Sequence, residues 1–513
     1  MNRINALLLA AVCAWLAPVS AAWAGPGFLV VAKDRGTVGN QELAAAVDNL
    51  DPEFPVQLLL VGPNRQGVEH DYAGYIAAAR EGLEAAGVDS VIAIPLFVSG
   101  QDALLARFRP RIEQALAPLS VAWTPALAQS YLAREILIDR IRSVKGPTAE
   151  QRLLLVLQGA RDTAGAARLR ELGERLLEDV ADVVPTAAAE VAVRYAEIAP
   201  RAAAEQAESK LARRVDRLAE KGPTVLVPLI IDVKFTPHMS LEMGLKRRYG
   251  REGVTITPSA MPHPAVRTWL QSMINASVPA RDESIGFVIM PHGSSAPYND
   301  DIVAAMPELL DRHPSAFAFG MASPLTIKQA VRKLESEGVR QAVFLRLFSG
   351  ENTFRAGADY IIGLRNTPPS HGHGGSPERV RTPIRFVSSG GYQSDPLISR
   401  VLKDRILEIS RDPASESVLL LSHGSRSEET HAAGLARVQD NIEAIQAALE
   451  RPFRDIRALG LREDWPQKRA EALRAIHQYI EQANRDGRAL VIANRLHGSG
   501  SYEDYLDGRE YVM

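Results

Sequence analysis

The feature that most constrains the fold is one strand pattern that occurs four times along the chain. The four segments are GFLVVAKDRG near residue 27, RLLLVLQGARD near 152, IGFVIMPHGSS near 285 and SVLLLSHGSRS near 417. They recur every 125 to 135 residues or so, a spacing typical of single domains. Each is a continuous apolar run, which is typical of a parallel strand covered on both faces. The sequence therefore predicts four α/β repeats.

The segments after each strand repeat as well. A helical stretch, a second strand, another helix and a third strand follow in order; the third strand reads DSVIAIPLFVSG in the first repeat and RQAVFLRLFSG in the third. Such alternation predicts βαβ units around a parallel sheet. The fourth repeat lacks a closing strand and helix, which would cover one sheet edge; either this repeat is naturally short or the given chain is truncated. The expected boundaries are 1–24 for a leader, then 25–147, 148–280, 281–413 and 414–513 for the repeats.

The N-terminus has the pattern of a cleaved export signal. Arg3 precedes an apolar stretch over residues 6–17, and Ala22 and Ala24 form a small-residue cleavage pattern before Gly25. We therefore expect a periplasmic protein whose mature chain has no membrane span; an uncleaved anchor is the alternative. The only cysteine, Cys13, lies inside this leader. Any metal in the mature chain must then be held by imidazole, carboxylate or amide groups.

The charge of the chain gives no sign of a nucleic-acid partner. There are 59 basic and 61 acidic side chains, for a net charge of -2. Proteins that bind nucleic acid carry a basic patch or stripe. We expect none here.

Two of the repeats place a histidine where the first strand ends. His423 and His292 each precede Gly-Ser, while Lys33 and Gln158 take this place in the first and second repeats. In open parallel sheets, ligands bind beyond the carboxyl ends of the strands. A single such histidine can also be an ordinary hydrogen-bonded side chain, so both interpretations stay open. The recurrence favours a site.

Other strand ends supply possible companions for His423. In the fourth repeat, the second strand leads to Glu463 and the third leads to His497. Two imidazoles and a carboxylate can bind a divalent cation with open positions, or accept protons near neutral pH. We predict catalytic roles for His423, Glu463 and His497, and metal ligation by these three and His292.

The motifs LLLSHGSR, PLFVSG and YAEIAP resemble those of the class II chelatases, in particular the small sirohydrochlorin cobaltochelatases and ferrochelatases. The resemblance covers all four repeats. It implies flavodoxin-like units arranged as two double-lobed modules. It also implies a lyase-type activity: insertion of Co²⁺, Ni²⁺ or Fe²⁺ into a tetrapyrrole held in the cleft, with no organic cofactor.

Matched residue by residue, His423 and His292 correspond to the first-strand histidine of the chelatases. Glu197 matches their second-strand glutamate, and Glu463 matches it less closely. At the place of their third-strand histidine stands Asp102 in the first repeat, and His497 comes about four residues early in the fourth.

The macrocycle of these enzymes is multiply anionic. Arg426, Arg495 and Arg346 lie near strand ends and are expected to pair with its carboxylates. The alternatives to an exported chelatase are a non-catalytic periplasmic protein that binds metal or tetrapyrrole, and a scaffold without ligand.

Overall fold

The computed structural model describes residues 25–48, 50–62, 72–279, 281–369, 376–495, 502–506 and 508–513. The expected leader, 1–24, and the candidate ligand His497 lie outside the described residues. Backbone contacts divide the chain into two compact bodies. The first body extends to Gly286 and includes Val331–Ala342 and Ala356–Phe386. The second consists of Phe287–Ala330, Val343–Arg355 and Val387–Met513.

The first repeat forms a parallel sheet of four strands in the order β2-β1-β3-β4. The strands are β1 (Pro26–Lys33), β2 (Val56–Val61), β3 (Ser90–Leu96) and β4 (Ser120–Trp123). The helices between and after them are α1 (Thr37–Val47), α2 (Tyr72–Ala85), α3 (Ala103–Leu116) and α4 (Tyr131–Arg142).

The second repeat has the same topology, with the strand order β6-β5-β7-β8. Its strands are β5 (Arg152–Ala160), β6 (Ala188–Tyr195), β7 (Thr224–Pro228) and β8 (Val254–Ile256). Its helices are α5 (Thr163–Ala181), α6 (Arg201–Ala219), α7 (Leu241–Tyr249) and α8 (Pro264–Ser277).

The third repeat again has four strands, in the order β10-β9-β11-β12. The strands are β9 (Ile285–Pro291), β10 (Ser315–Phe317), β11 (Gln341–Leu347) and β12 (Arg385–Gly390). The helices are α9 (Ala296–Ala304), α10 (Pro307–Arg312), α11 (Pro324–Ser336), α12 (Arg355–Ile361) and α13 (Pro396–Ile409).

The fourth repeat has three strands, ordered β14-β13-β15. They are β13 (Glu416–Ser422), β14 (Asp455–Gly460) and β15 (Arg488–Ala493), with helices α14 (Glu428–Ala447), α15 (Pro466–Asp486) and α16 (Tyr502–Leu506). Beyond these strands, Val512 forms one isolated parallel bridge with Leu490 of β15. One residue thus stands where the fourth strand lies in the other sheets.

The first strand of each repeat is central to its sheet, as the continuous apolar runs predict. Leu29, Val30, Leu154 and Leu155 are fully buried, as is Leu420 in the fourth repeat. Their side chains point alternately to the two sheet faces, and helices cover both. The structure confirms four parallel-sheet units. Among the described residues, no helix is both long and apolar enough to cross a membrane.

Candidate functional site

The turn after β13 positions His423. Gly424 has φ 81°, a left-handed conformation that favours glycine. A Cβ at Gly424 would lie 3.0 Å from the backbone nitrogen of Arg462. The backbone N–H of Arg462 donates to the His423 carbonyl at 2.7 Å. The loops after β13 and β14 are therefore in direct contact at the carboxyl ends of their strands.

The imidazole of His423 is oriented by its own turn. Its Nδ1 lies 3.0 Å from the carbonyl oxygen of Gly424. Because a carbonyl can only accept, Nδ1 carries the proton, and Nε2 of the neutral ring presents a lone pair. The ring packs edge-to-face against Trp465, with centroids 5.9 Å apart. The tautomer and the ring orientation are thus both set by neighbouring groups.

Two carboxylates face that lone pair. Nε2 of His423 lies 3.2 Å from Asp464 Oδ2 and 3.8 Å from Glu463 Oε2. A ring lone pair and a carboxylate oxygen at such distances repel each other unless a cation lies between them. The cation can be a proton on Nε2 or a metal ion. About a third of the His423 side chain, 37%, is exposed, so the cation can come from solvent.

Glu463 also has a cationic neighbour. Arg495 Nη2 lies 3.3 Å from Glu463 Oε2, and the Arg495 guanidinium stacks 4.6 Å from the centre of the Tyr502 ring. Burial raises the pKa of the Tyr502 phenol, against the opposing effect of Arg495. Burial and the nearby Tyr298 likewise raise the pKa of Tyr392 to about 12. The phenols beside Arg495 therefore stay neutral at physiological pH.

Arg462 holds the two loops together beneath the site. Its guanidinium donates to the carbonyl oxygens of Ser425 at 2.7 Å and Arg426 at 2.9 Å, and it pairs with Glu428. Hydrogen bonds from Arg462 and Lys468 lower the pKa of Glu428 to about 2. These interactions fix the backbone that carries His423 and Glu463.

The remaining predicted site residues are His292, Arg426 and Arg346. His292 is exposed and donates from Nδ1 to the Gly293 carbonyl at 2.8 Å; no ion pair of His292 occurs in the described part of the chain. Arg426 is exposed. Arg346 is 2% exposed and donates to the carbonyls of Glu351 and Thr353, so the expected ligand role of Arg346 is wrong.

The structure therefore brings together only some of the predicted metal ligands. His423 and Glu463 meet, and Asp464, which the sequence analysis missed, joins them. Within the described ranges, no group of three or more acidic, histidine or cysteine side chains is arranged to hold a metal ion. His497 belongs to the residues that are not described. The signal in the sequence that could have pointed to Asp464 was its position directly after Glu463.

The first two repeats place an ion pair at the corresponding strand ends. The ammonium of Lys33 pairs with Asp232 and lies 3.1 Å from Glu197, and Gln158 donates to Asp232 at 2.9 Å. Burial alone would lower the pKa of Lys33, but attraction to Asp232 and Glu197 outweighs it, and the pKa is raised. Burial opposes ionisation of Asp232 as well, yet Lys33 lowers its pKa.

This ion pair closes the crevice between the first two repeats. Lys33 and Asp232 are each 8% exposed. The cavity beside them, lined among others by Asp102 and Gln158, measures about 30 Å³, room for about one water molecule. Comparison of the repeat sequences indicates that Lys33 stands where two other repeats have the strand-end histidine. It does not predict that the Lys33 ammonium would lie where a bound cation could lie.

Asp102 gives a pH-dependent prediction. Burial raises the pKa of its carboxyl to about 6 from 3.8. Since the folded-state pKa is the higher one, the folded protein binds this proton more tightly, and stability is lost as the pH rises through about 6. Asp102→Asn should therefore add up to about 3 kcal/mol to the free energy of unfolding at pH 7.5, and little at pH 4. Urea denaturation at both pH values measures this.

Asparagine is a suitable replacement because Asp102 caps α3. Its side chain accepts from the backbone N–H of Leu104 at 2.8 Å, and asparagine caps helices about as well as aspartate. Asp102→Ala is the control. It removes the helix cap, so its free energy of unfolding at pH 7.5 should rise less than that of Asp102→Asn. A stabilisation by Asp102→Asn that is the same at both pH values would contradict the raised pKa.

Comparison with known proteins leaves the family open. No protein-family model matches the chain, and neither a curated protein nor a solved structure matches it. The resemblance to chelatases therefore stays a prediction from the sequence motifs.

Proposed function

We propose that this chain is an exported, chelatase-like protein that binds a divalent cation such as Co²⁺, Ni²⁺ or Fe²⁺ at His423, with Asp464 or Glu463 as a second ligand, and delivers it to a tetrapyrrole. The observation that carries the proposal is that Asp464 Oδ2 and Glu463 Oε2 lie 3.2 and 3.8 Å from Nε2 of His423. Imidazole and carboxylate are suitable ligands for these metals, and few protein ligands leave positions open for the substrate.

The metal ion in this proposal is a substrate in transit. Insertion into a tetrapyrrole releases two pyrrole protons. In this proposal His423 Nε2, free of the metal once it has moved, accepts one of them, and Asp464, whose side chain is 67% exposed, passes the other to solvent. Arg495 offsets the charge of Glu463 until the metal arrives. In this proposal the macrocycle carboxylates pair with Arg426, which is exposed, and with Arg495 once the metal has replaced it as the partner of Glu463.

A second candidate function is metal or tetrapyrrole binding without turnover. It is favoured by the contact between Arg495 and Glu463, because a carboxylate held by a guanidinium is a weaker metal ligand and a weaker base. The filled crevice between the first two repeats also agrees with a binding protein that has lost one of its sites.

Absorbance spectroscopy separates these functions. Purified mature protein is mixed with sirohydrochlorin and Co²⁺, and the spectrum is followed against a protein-free control. Catalysed insertion that is lost in His423→Ala and kept in His477→Ala supports the chelatase. A spectral change on tetrapyrrole binding, with insertion at the protein-free rate, supports the binding protein. Absence of binding by both the metal and the macrocycle would contradict both functions.

A further inference from the structure

The sheet of the second repeat has a helix on each side of its edge strand, β6. This strand is outermost in the sheet and pairs with β5. Helix α5 packs on one face, where Leu169 shares an apolar cluster with Val193. Helix α6 packs on the other face, where Leu211 shares a cluster with Ala192. Because successive strand residues point to opposite faces, the two helices border the edge of β6 from opposite sides.

A cavity of about 210 Å³ lies at this edge, and α5, α6 and β6 all line it. We call it the edge cavity. Short side chains make the space: α5 contributes Ala166 and Ala167, and α6 contributes Ala203 and Ala207. An apolar cavity of about 150 Å³ holds a benzene molecule. The edge cavity therefore has room for a ring and an attached polar group.

The charged side chains that line the edge cavity are all cationic. They are Arg170 of α5 and Lys210 and Arg214 of α6, and the described lining contains no acidic residue. Lys210 and Arg214 are four residues apart, a spacing at which like charges destabilise a helix. Helix stability therefore does not explain this pair. A cleft lined by one sign of charge concentrates ions of the opposite sign, so the edge cavity favours an anion.

Carboxylates close in sequence to the cavity residues have other partners. Glu208, on the same helix as Lys210, pairs with Arg194, and Glu190 of β6 pairs with Arg217. Lys210 has no ion pair within the described ranges, and the same is true of Arg170. The positive charge at the edge cavity is therefore not offset by an acidic neighbour bonded to these two side chains.

Arg214 is the cation whose position is fixed. Its Nη1 donates to the carbonyl oxygen of Val191 in β6, and its side chain is half-buried. A guanidinium has five N–H donors, and this bond uses one of them. The others can donate to a ligand in the edge cavity, and a guanidinium binds carboxylate or phosphate oxygens in pairs.

Neutral polar groups complete the lining. Thr163 and Tyr195 supply hydroxyl groups, and Gln206 supplies an amide. Each can donate a hydrogen bond to an oxygen. Apolar walls with a few polar groups are the usual composition of a small-molecule site. Arg170, Gln206 and Lys210 are exposed, so a ligand can enter from solvent.

We propose that the edge cavity binds a small organic anion, a compound with an apolar body of about one ring and a carboxylate or phosphate group. The alanine surfaces of α5 and α6 would enclose the apolar body. Arg170, Lys210 and Arg214 would bind the anionic oxygens. All residues of this site belong to the second repeat, so it is independent of the metal site and of the proposed function.

Ligand-observed NMR titration of the full chain tests this proposal. The probes are benzoate and phenyl phosphate, with benzyl alcohol as an uncharged compound of similar size. We expect saturable binding of at least one of the two anions and much weaker binding of benzyl alcohol. The anion that binds more tightly shows whether the site prefers a carboxylate or a phosphate.

Variants test charge and space separately. Arg170→Gln combined with Lys210→Gln should weaken anion binding at least about tenfold, because two charge-assisted hydrogen bonds are lost. Ala203→Leu should also weaken it at least about tenfold, because the larger side chain fills the cavity without changing its charge. Arg213→Gln is the matched control: Arg213 is exposed on the same helix and lies outside the lining. Its replacement should leave binding unchanged.

Four results would overturn the proposal. The first is no saturable binding of either anion, and the second is binding of benzyl alcohol as tight as that of benzoate. The third is equal affinity of the double variant and Arg213→Gln, with circular dichroism showing that both are folded. The fourth is anion binding that is lost in His423→Ala and kept in Ala203→Leu, because the anion would then bind in the fourth repeat.

Discussion

Replacement of Lys33 by methionine is expected to lower the free energy of unfolding of the first body by about 3–5 kcal/mol. The ammonium is the counter-ion of Asp232 and Glu197, and Asp232 is 8% exposed. Methionine fills a similar volume but leaves a buried carboxylate without its cation. Gln158 and the backbone N–H of Val233 hydrogen-bond to Asp232 without supplying a charge, and the attraction from Arg194 is weaker than that from Lys33. Urea denaturation followed by circular dichroism measures the loss.

Lys234→Met is the matched control for this experiment. Lys234 pairs with Glu42, and its side chain is 26% exposed. Because solvent screens this pair more effectively, its loss should cost only about 1 kcal/mol or less. Lys33→Met combined with Asp232→Asn should recover much of the stability, since the buried carboxylate is then gone and Glu197, whose side chain is 32% exposed, remains in contact with solvent. Equal effects of Lys33→Met and Lys234→Met would show that the buried pair is not what stabilises the crevice.

Replacement of His423 by alanine is expected to reduce Co²⁺ affinity more than about 100-fold. Mutation of the groups that merely orient a metal ligand costs 10–100-fold in typical sites, and His423 is proposed to be the ligand itself. Its Nε2 carries the lone pair that Asp464 and Glu463 face. Titration calorimetry with Co²⁺ measures the change.

His477→Ala is the control for this variant. His477 lies on α15, and its Nε2 donates to the Tyr505 carbonyl at 3.1 Å, away from the two carboxylates. Its replacement should leave Co²⁺ affinity unchanged. If His423→Ala and His477→Ala bind Co²⁺ equally well, the proposed metal site at His423 is wrong, regardless of any result with the tetrapyrrole.

The sheets could be predicted from the sequence because their signal is local. The runs that contain Leu154 and Leu420 are apolar without alternation, and such runs become central parallel strands. The bridge of Val512 could not be predicted in this way, because a single paired residue has no pattern. Its pairing with Leu490 depends on the sheet edge that β15 leaves open.

The site could be predicted in part. The position of His423 follows from the end of its strand, and Glu463 follows from the end of the neighbouring one. Strand β14 ends at Gly460, so Glu463 and Asp464 both lie in the loop after it, and only the turn of this loop brings the Asp464 side chain to His423. Lys33 and Asp232 are 199 residues apart. Their pairing depends on how two repeats fold against each other, which no local pattern contains.

The central claim is that His423 binds a divalent metal ion, and anomalous diffraction from crystals soaked in Co²⁺ tests it most directly. We predict a peak in the anomalous difference map at about 2.0–2.2 Å from His423 Nε2, a usual imidazole–metal distance, within reach of Asp464 or Glu463. A map with no peak beside His423, or with peaks only at other residues, would contradict the claim.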